Sequence, residues 1–256
     1  MKTFQKALAI GVLTVISGYA MQVAAAPIFS FTEYGGFTDD VAIAQYTNLV
    51  VGAPSVVPAA TPIYSTMSWN ENVFPQSSLV LSTVQSPTAL AINTWTRIST
   101  LTHNNVLITN AANWGPQDIW GRLRITDSDG ASSVRLDSDE AITIALTETT
   151  NVAPCPAPNP VSTTCDDFFS FTAAGLTPLL FTANDGSAWQ ASFRFANLVN
   201  AVMIDDTIYT GEARSSSLDV EVQLTQIRTV PEPATLGIFG LGLLGLGLAK
   251  RRKLNG

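Results

Sequence analysis

From Ser217 to Ile227 the chain reads SLDVEVQLTQI, with Leu218, Val220, Val222 and Leu224 at every second position and Asp219, Glu221, Gln223 and Thr225 between them. Side chains of an extended strand alternate between two faces, whereas a helix returns to one face every 3.6 residues. This spacing fits a strand with one apolar and one wet face, the habit of antiparallel sheets. Alternation, or enrichment in aromatic and β-branched residues, recurs over 27–35, 121–127, 141–149, 167–174, 189–199 and 200–210. Clusters of Gly, Pro, Asn and Asp punctuate these segments, and 141–149 and 167–174 read as a hairpin pair flanking a cysteine loop. Nothing between residues 26 and 229 carries a long 3.6-residue pattern. The expected fold is all-β, a single antiparallel β-sandwich, with a closed barrel as the alternative. Pro54, Pro58 and Pro62 mark a long loop within one domain.

The two ends obey other rules. Lys2 and Lys6 precede an apolar run from Ala7 to about Ala20, and small residues follow, with Val23 and Ala25 before Ala26. A positive start, a short apolar core and a small-residue exit predict a secretory signal peptide over residues 1–25, read by the Sec export machinery. At the other end, Ala234 to Ala249 is a charge-free stretch of sixteen residues containing five glycines. As a helix it would reach about 24 Å, somewhat short of a hydrocarbon core of about 30 Å. Lys250, Arg251, Arg252 and Lys253 follow it and would stop transfer, held inside by the positive-inside rule. Just before the stretch stands Val230-Pro231-Glu232-Pro233. The two prolines remove backbone donors and push their predecessors to extended geometry, so Glu232 is expected in an open linker that a processing enzyme can grip.

The VPEP element, the short Gly/Leu stretch and the KRRK cluster together resemble the PEP-CTERM sorting signal. The resemblance implies an exported protein, anchored in the inner membrane with a periplasmic ectodomain, then cut near Pro-Glu-Pro by an integral-membrane exosortase. The product would be delivered to the cell surface or the extracellular matrix. The implied organisation is a signal peptide over 1–25, an ectodomain over 26–229 and a sorting signal over 230–256.

The ectodomain has an unusual charge balance. Residues 26–229 hold seven arginines, no lysine and nineteen acids, a net charge of −12. Such a domain repels nucleic-acid backbones and anionic surfaces, so nucleic acid is not an expected partner. Cys155 and Cys165 enclose nine residues, three of them proline. In an exported protein an even count at close spacing predicts a disulfide, and no neighbouring histidine or second cysteine pair supports a metal pair instead.

Candidate chemistry is sparse. His103 is the only histidine, which excludes a multi-histidine metal centre. It sits in LTHNNVLI, where Thr102, His103, Asn104 and Asn105 interrupt an apolar stretch. Buried polar groups need hydrogen bonds, so His103 and Asn105 are expected to brace a loop or strand end; contact with a ligand, or action as a base, is the alternative. Thr102, His103 and Asn105, with the upstream PQSSLVL over 75–81, resemble the THxN group of PEP-CTERM proteins. That resemblance implies handling and a fold, not a reaction.

No G-x-S-x-G elbow is present and no catalytic residue is assigned. A polysaccharide hydrolase, which needs only two carboxylates, stays open among nineteen acids. Asp127 and Asp129 lie in a fragment of a calcium loop, but the twelfth position is Ser138 where the EF-hand form needs Glu. Two acidic turns joining strands are expected there, with a shallow structural Ca²⁺ site near Asp127 and Asp129 as the alternative, and no other metal or cofactor is expected. Of five tryptophans, Trp114, in Trp-Gly-Pro, is the one expected to be exposed and able to stack on extracellular polysaccharide. The leading expectation is a non-enzymatic structural protein of the cell surface or matrix; the alternatives are a carbohydrate-binding module and, third, a polysaccharide hydrolase.

Overall fold

A computed structural model of the chain describes residues 27–39, 44–50, 62–69, 76–107, 114–127, 135–161, 164–172 and 176–227. The expected signal peptide, the sorting motif Val230–Pro233, the expected transmembrane sorting helix over 234–249, the basic cluster 250–253 and Asp129 lie outside the described residues. Within them are fourteen strands and no α-helix. In chain order these are β1 (Phe29–Phe37), β2 (Ala44–Leu49), β3 (Tyr64–Trp69), β4 (Ser77–Thr83), β5 (Thr88–Leu90), β6 (Thr96–Asn104) and β7 (Trp114–Asp127). There follow β8 (Arg135–Thr147), β9 (Asp167–Phe171), β10 (Leu179–Thr182), β11 (Ala188–Val199), β12 (Ala201–Ile204), β13 (Thr207–Thr210) and β14 (Ser215–Gln226).

The all-β, antiparallel expectation holds. Two separate sheets are not what the described strands form. Hydrogen bonding runs through one sheet in the order β10-β11-β14-β6-β4-β3-β1-β7-β8-β9-β13-β12, with β2 added on β3 and β5 on β1. A sheet of this size accumulates right-handed twist and must curl. Here it curls into a half-barrel, and β12 at one end comes close to β11 and β14 near the other. Curling lets distant strands share a core: Leu79 and Leu101 from β4 and β6 pack with Ile144, Phe169 and Ile208 from β8, β9 and β13. A second core lies toward the opposite ends of β1, β7 and β14, around Phe31, Ile125, Trp189 and Leu224.

The alternation in β14 places Leu218, Val222 and Leu224 in these cores, as expected. Glu221, on the other face, is nonetheless buried, because Arg194 on β11 bonds its Oε2 at 2.7 Å while lying 4.3 Å over the Trp95 ring. The 200–210 segment, expected as one strand, is two. Ile204 pairs with Thr207 across Asp205-Asp206, and Asp205 takes φ 52°, a left-handed conformation that short polar residues tolerate. β1 changes partner along its length. Phe29–Phe31 pair with β5 and Phe37 pairs with Tyr64 of β3, while β7 follows its other edge throughout. Gly36 permits that crossing, since a Cβ there would fall 2.1 Å from Ile63 Cγ2 and 2.7 Å from the Tyr64 carbonyl oxygen.

Cys155 and Cys165 are bonded, with Cα atoms 5.0 Å apart, and close the connection between β8 and β9. The loop is tied further by Val161 N–H donating to Asp166 Oδ2 at 2.7 Å and Asp166 N–H to Asn159 Oδ1 at 2.6 Å. Closing a loop of this length should contribute roughly 2–3 kcal/mol by restricting the unfolded chain. Reduction under otherwise native conditions is expected to lower the melting temperature by about 4–12 °C. A thermal scan in which reductant leaves the midpoint unchanged would contradict this.

Candidate functional site

The expected motif residues stand at one rim of the half-barrel. Thr102 and His103 are in β6, held between Val80 and Leu79 of β4 on one side and Ser217 and Ser216 of β14 on the other. The inward-facing register of β6 runs Leu101, His103, Asn105, so the apolar face ends in two polar residues. His103 is 3% exposed. Its ring stacks on Trp69 at 5.6 Å and meets Phe169 edge-on at 4.9 Å. Nδ1 shares a 2.9 Å hydrogen bond with Thr210 Oγ1. Burial without a charge partner lowers its pKa to about 3, so the imidazole is neutral. Asn105, 4% exposed, donates from Nδ2 to Asp167 Oδ2 at 2.9 Å and to the Gly211 carbonyl at 3.4 Å.

Asp167 opens a cluster that the sequence reading passed over. Glu148 follows β8, Asp167 begins β9, and Glu212 follows β13. The three are buried, and one carboxylate oxygen from each lies within 4.8 Å of the others. Asp167 is the best served: Oδ1 accepts Thr149 N–H at 2.7 Å and Oδ2 accepts from Asn105. Glu148 Oε2 accepts the Trp69 indole N–H at 3.2 Å. Glu212, 3% exposed, accepts no well-formed hydrogen bond on either oxygen; the Asn105 and Asn151 amides and the Asp167 carboxyl lie beside it. The disulfide loop roofs this rim, since Thr149 Oγ1 donates to the Cys165 carbonyl at 2.9 Å.

Electrostatics follow from the crowding. Desolvation first, and then repulsion from Asp167, raise Glu148 to about 9 and Glu212 to about 8. Desolvation also raises Asp167, opposed by the donors from Thr149 and Asn105. Without a counter-cation the group therefore holds protons at neutral pH, with Asp167 as the member best supported as an anion. Such a cluster can hold a proton or a cation.

Other expected residues do not converge here in the same way. Trp114, expected to be exposed, is only 4% exposed. It opens β7 on the inward face and packs 5.6 Å from Trp69 and 6.4 Å from Phe169, so it offers no face to a sugar. The Gly-Pro that follows suggested a surface turn, but the strand runs through both residues. Asp127 ends β7, is buried, and accepts Asn184 N–H at 2.9 Å as a loop brace. The missed acids carried a signal nonetheless. Ile144, Leu146 and Glu148 share one parity, as do Asp167 and Phe169, and Ile208, Thr210 and Glu212. Glu148 and Asp167 each continue an inward apolar face one step beyond its last hydrophobic residue, and Glu212 does so two steps beyond Ile208, past Thr210.

Against known proteins, no curated protein matches the chain. Residues 229–253 match the family described as the PEP-CTERM protein-sorting motif. The chain therefore carries the sorting motif of the PEP-CTERM proteins, the mark of an exported protein processed by exosortase.

Proposed function

We propose that the ectodomain is a non-enzymatic structural or adhesive component of the cell surface or of the extracellular polysaccharide matrix, and that it is a THxN-type PEP-CTERM protein. The sorting motif at 229–253 carries the reading, because it addresses the cargo to the exterior. The shape of the cargo agrees with it. One curled sheet clipped by a disulfide suits exposure outside the cell, and a net charge of −12 between 26 and 229 keeps it soluble in a hydrated polymer. Thr102, His103 and Asn105 fit a role in construction: His103 is clamped between two aromatic rings, and Asn105 holds a buried aspartate and a backbone carbonyl. A substrate could not reach His103 without opening the rim.

The test is fractionation of producing cells with an antibody against the ectodomain. Wild-type protein is expected in the surface and matrix fractions, in a form shorter than the full chain. Replacement of Pro231-Glu232-Pro233 by three alanines is expected to leave at least about nine-tenths of the protein uncut in the inner membrane. An unchanged released fraction in that variant would sink the sorting account. Wild-type protein free in the medium, with no retention on native exopolymer, would sink the matrix assignment while leaving sorting intact.

A further inference from the structure

We propose that Glu148, Asp167, Glu212 and Asn105 form a structural Ca²⁺ site that locks the disulfide-capped rim of the half-barrel. The inference does not rest on the matrix role. It rests on two independent observations. The first is geometric. Three carboxylate oxygens from three separate chain segments lie within 4.8 Å of one another. Calcium binds oxygen at about 2.3–2.6 Å, so two of its ligands can stand up to about 5 Å apart. One ion fits the whole observed span with little movement of the chain. Magnesium, at about 2.1 Å, reaches ligands only up to about 4.2 Å apart.

The second observation is the unsatisfied amide beside the acids. Asn105 is buried and fixed to Asp167 through Nδ2, yet its Oδ1 accepts no hydrogen bond. An orphaned buried carbonyl oxygen costs roughly 1–3 kcal/mol. It is also a typical calcium ligand, as amide and carboxylate oxygens together make up such sites. Both oxygens of Glu212, equally buried, accept no well-formed hydrogen bond, although the Asn105 and Asn151 amides lie near them. The donor set is all oxygen. The described cysteines are paired to each other, and His103, which bonds Thr210 through Nδ1 and has an unpartnered Nε2, is not one of the three clustered ligands. Such a set selects a hard cation over zinc or copper. Three acids would leave one negative charge around a bound Ca²⁺, which the surrounding N–H donors of Thr149 and Trp69 already face.

The location explains what the ion would do. Glu148 and Asp167 flank the Cys155–Cys165 loop, and Glu212 sits in the turn between β13 and β14. One ion would tie the β8–β9 connection to the β13–β14 connection and to the end of β6. That is a staple across the curl, supplied only where calcium is plentiful.

The experiment uses the full chain, purified in detergent and stripped with chelator. Calorimetric titration is expected to find one Ca²⁺ per chain. At a hundredfold excess over Kd, the folding equilibrium constant should rise about a hundredfold, read as a higher melting temperature. Tb³⁺, which occupies calcium sites, is expected to luminesce on tryptophan excitation, because Trp69 lies 3.2 Å from Glu148. Glu212→Gln, nearly the same shape, should weaken Ca²⁺ binding at least about tenfold, and Asn105→Ala should do likewise. Asp205→Asn with Asp206→Asn, in the exposed β12–β13 turn, should leave it unchanged. The proposal is overturned if Ca²⁺ leaves the wild-type melting temperature where chelator puts it, or if Tb³⁺ gives no sensitised emission. It is equally overturned if the response survives Glu212→Gln undiminished, or if Mg²⁺ acts as strongly as Ca²⁺. The wild-type measurements decide the matter even where a variant fails to fold.

Discussion

Glu33→Gln should leave stability nearly unchanged at pH 4 and raise it by about 4–5 kcal/mol above pH 8. Glu33 lies on the inward face of β1, in register with Phe29 and Phe31. It borders a mostly apolar cavity of about 80 Å³ shared with Leu81, Ile98, Ser99, Leu123 and Phe193. Its Oε2 has no hydrogen-bond partner. Burial alone raises its pKa to about 8, against 4.5 for the free side chain. The folded protein therefore keeps the proton over a range where the unfolded chain gives it up. The stability that this carboxyl contributes is complete below pH 4.5 and is lost as pH rises through 8. Each pH unit in that window is worth about 1.36 kcal/mol, which gives the magnitude. Glutamine keeps the shape and never ionises. Urea unfolding of both proteins from pH 4 to 9 measures the difference, and the buried acids at the rim cancel because both proteins contain them. A difference that stays flat across the window would show that Glu33 is hydrated or paired in solution.

Glu33 also shows what the sequence made legible. Period two was enough to find β1, β8, β9, β11 and β14, because each buries one face, and that face is written in aromatic and aliphatic residues. Edge and short strands such as β5 and β10 bury little and left no such mark. The closure into one sheet was hidden for another reason. Whether β6 bonds to β4 or to a strand of another layer depends on pairing between segments far apart in sequence, and alternation alone is silent on partners. The site was half visible. His103 and Asn105 stood out as polar residues inside an apolar run, whereas Glu148, Asp167 and Glu212 looked like ordinary strand-end acids. Their parity with Leu146, Phe169 and Ile208 places them inward, but inward placement becomes a cluster only when three connections meet at one rim. Trp114 misled because Gly-Pro reads as a turn, yet Pro116 falls in a register irregularity between β7 and β8, where its missing N–H costs no ladder bond.

Trp69→Ala should be the most damaging single truncation at the rim, lowering stability by about 3–5 kcal/mol. For a domain of this size that is a fall of roughly 6–20 °C in melting temperature. Trp69 has no exposed surface and belongs to the larger core with Leu79, Leu101 and Ile144. Its ring is one wall against which His103 lies, and Trp114 meets it edge-on. Its indole N–H donates to Glu148. Truncation would remove packing, leave a cavity and take a donor from a buried acid at once. Trp69→Phe separates these effects. Phenylalanine restores most of the ring and none of the N–H, so its cost should fall to about 1–2 kcal/mol, the part owed to the lost hydrogen bond. Near-ultraviolet circular dichroism and denaturant unfolding would measure both variants. Equal losses in Ala and Phe would mean that the N–H to Glu148, and not the ring, holds the rim together. A loss below 1 kcal/mol in Trp69→Ala would mean that the stack on His103 does not persist in solution.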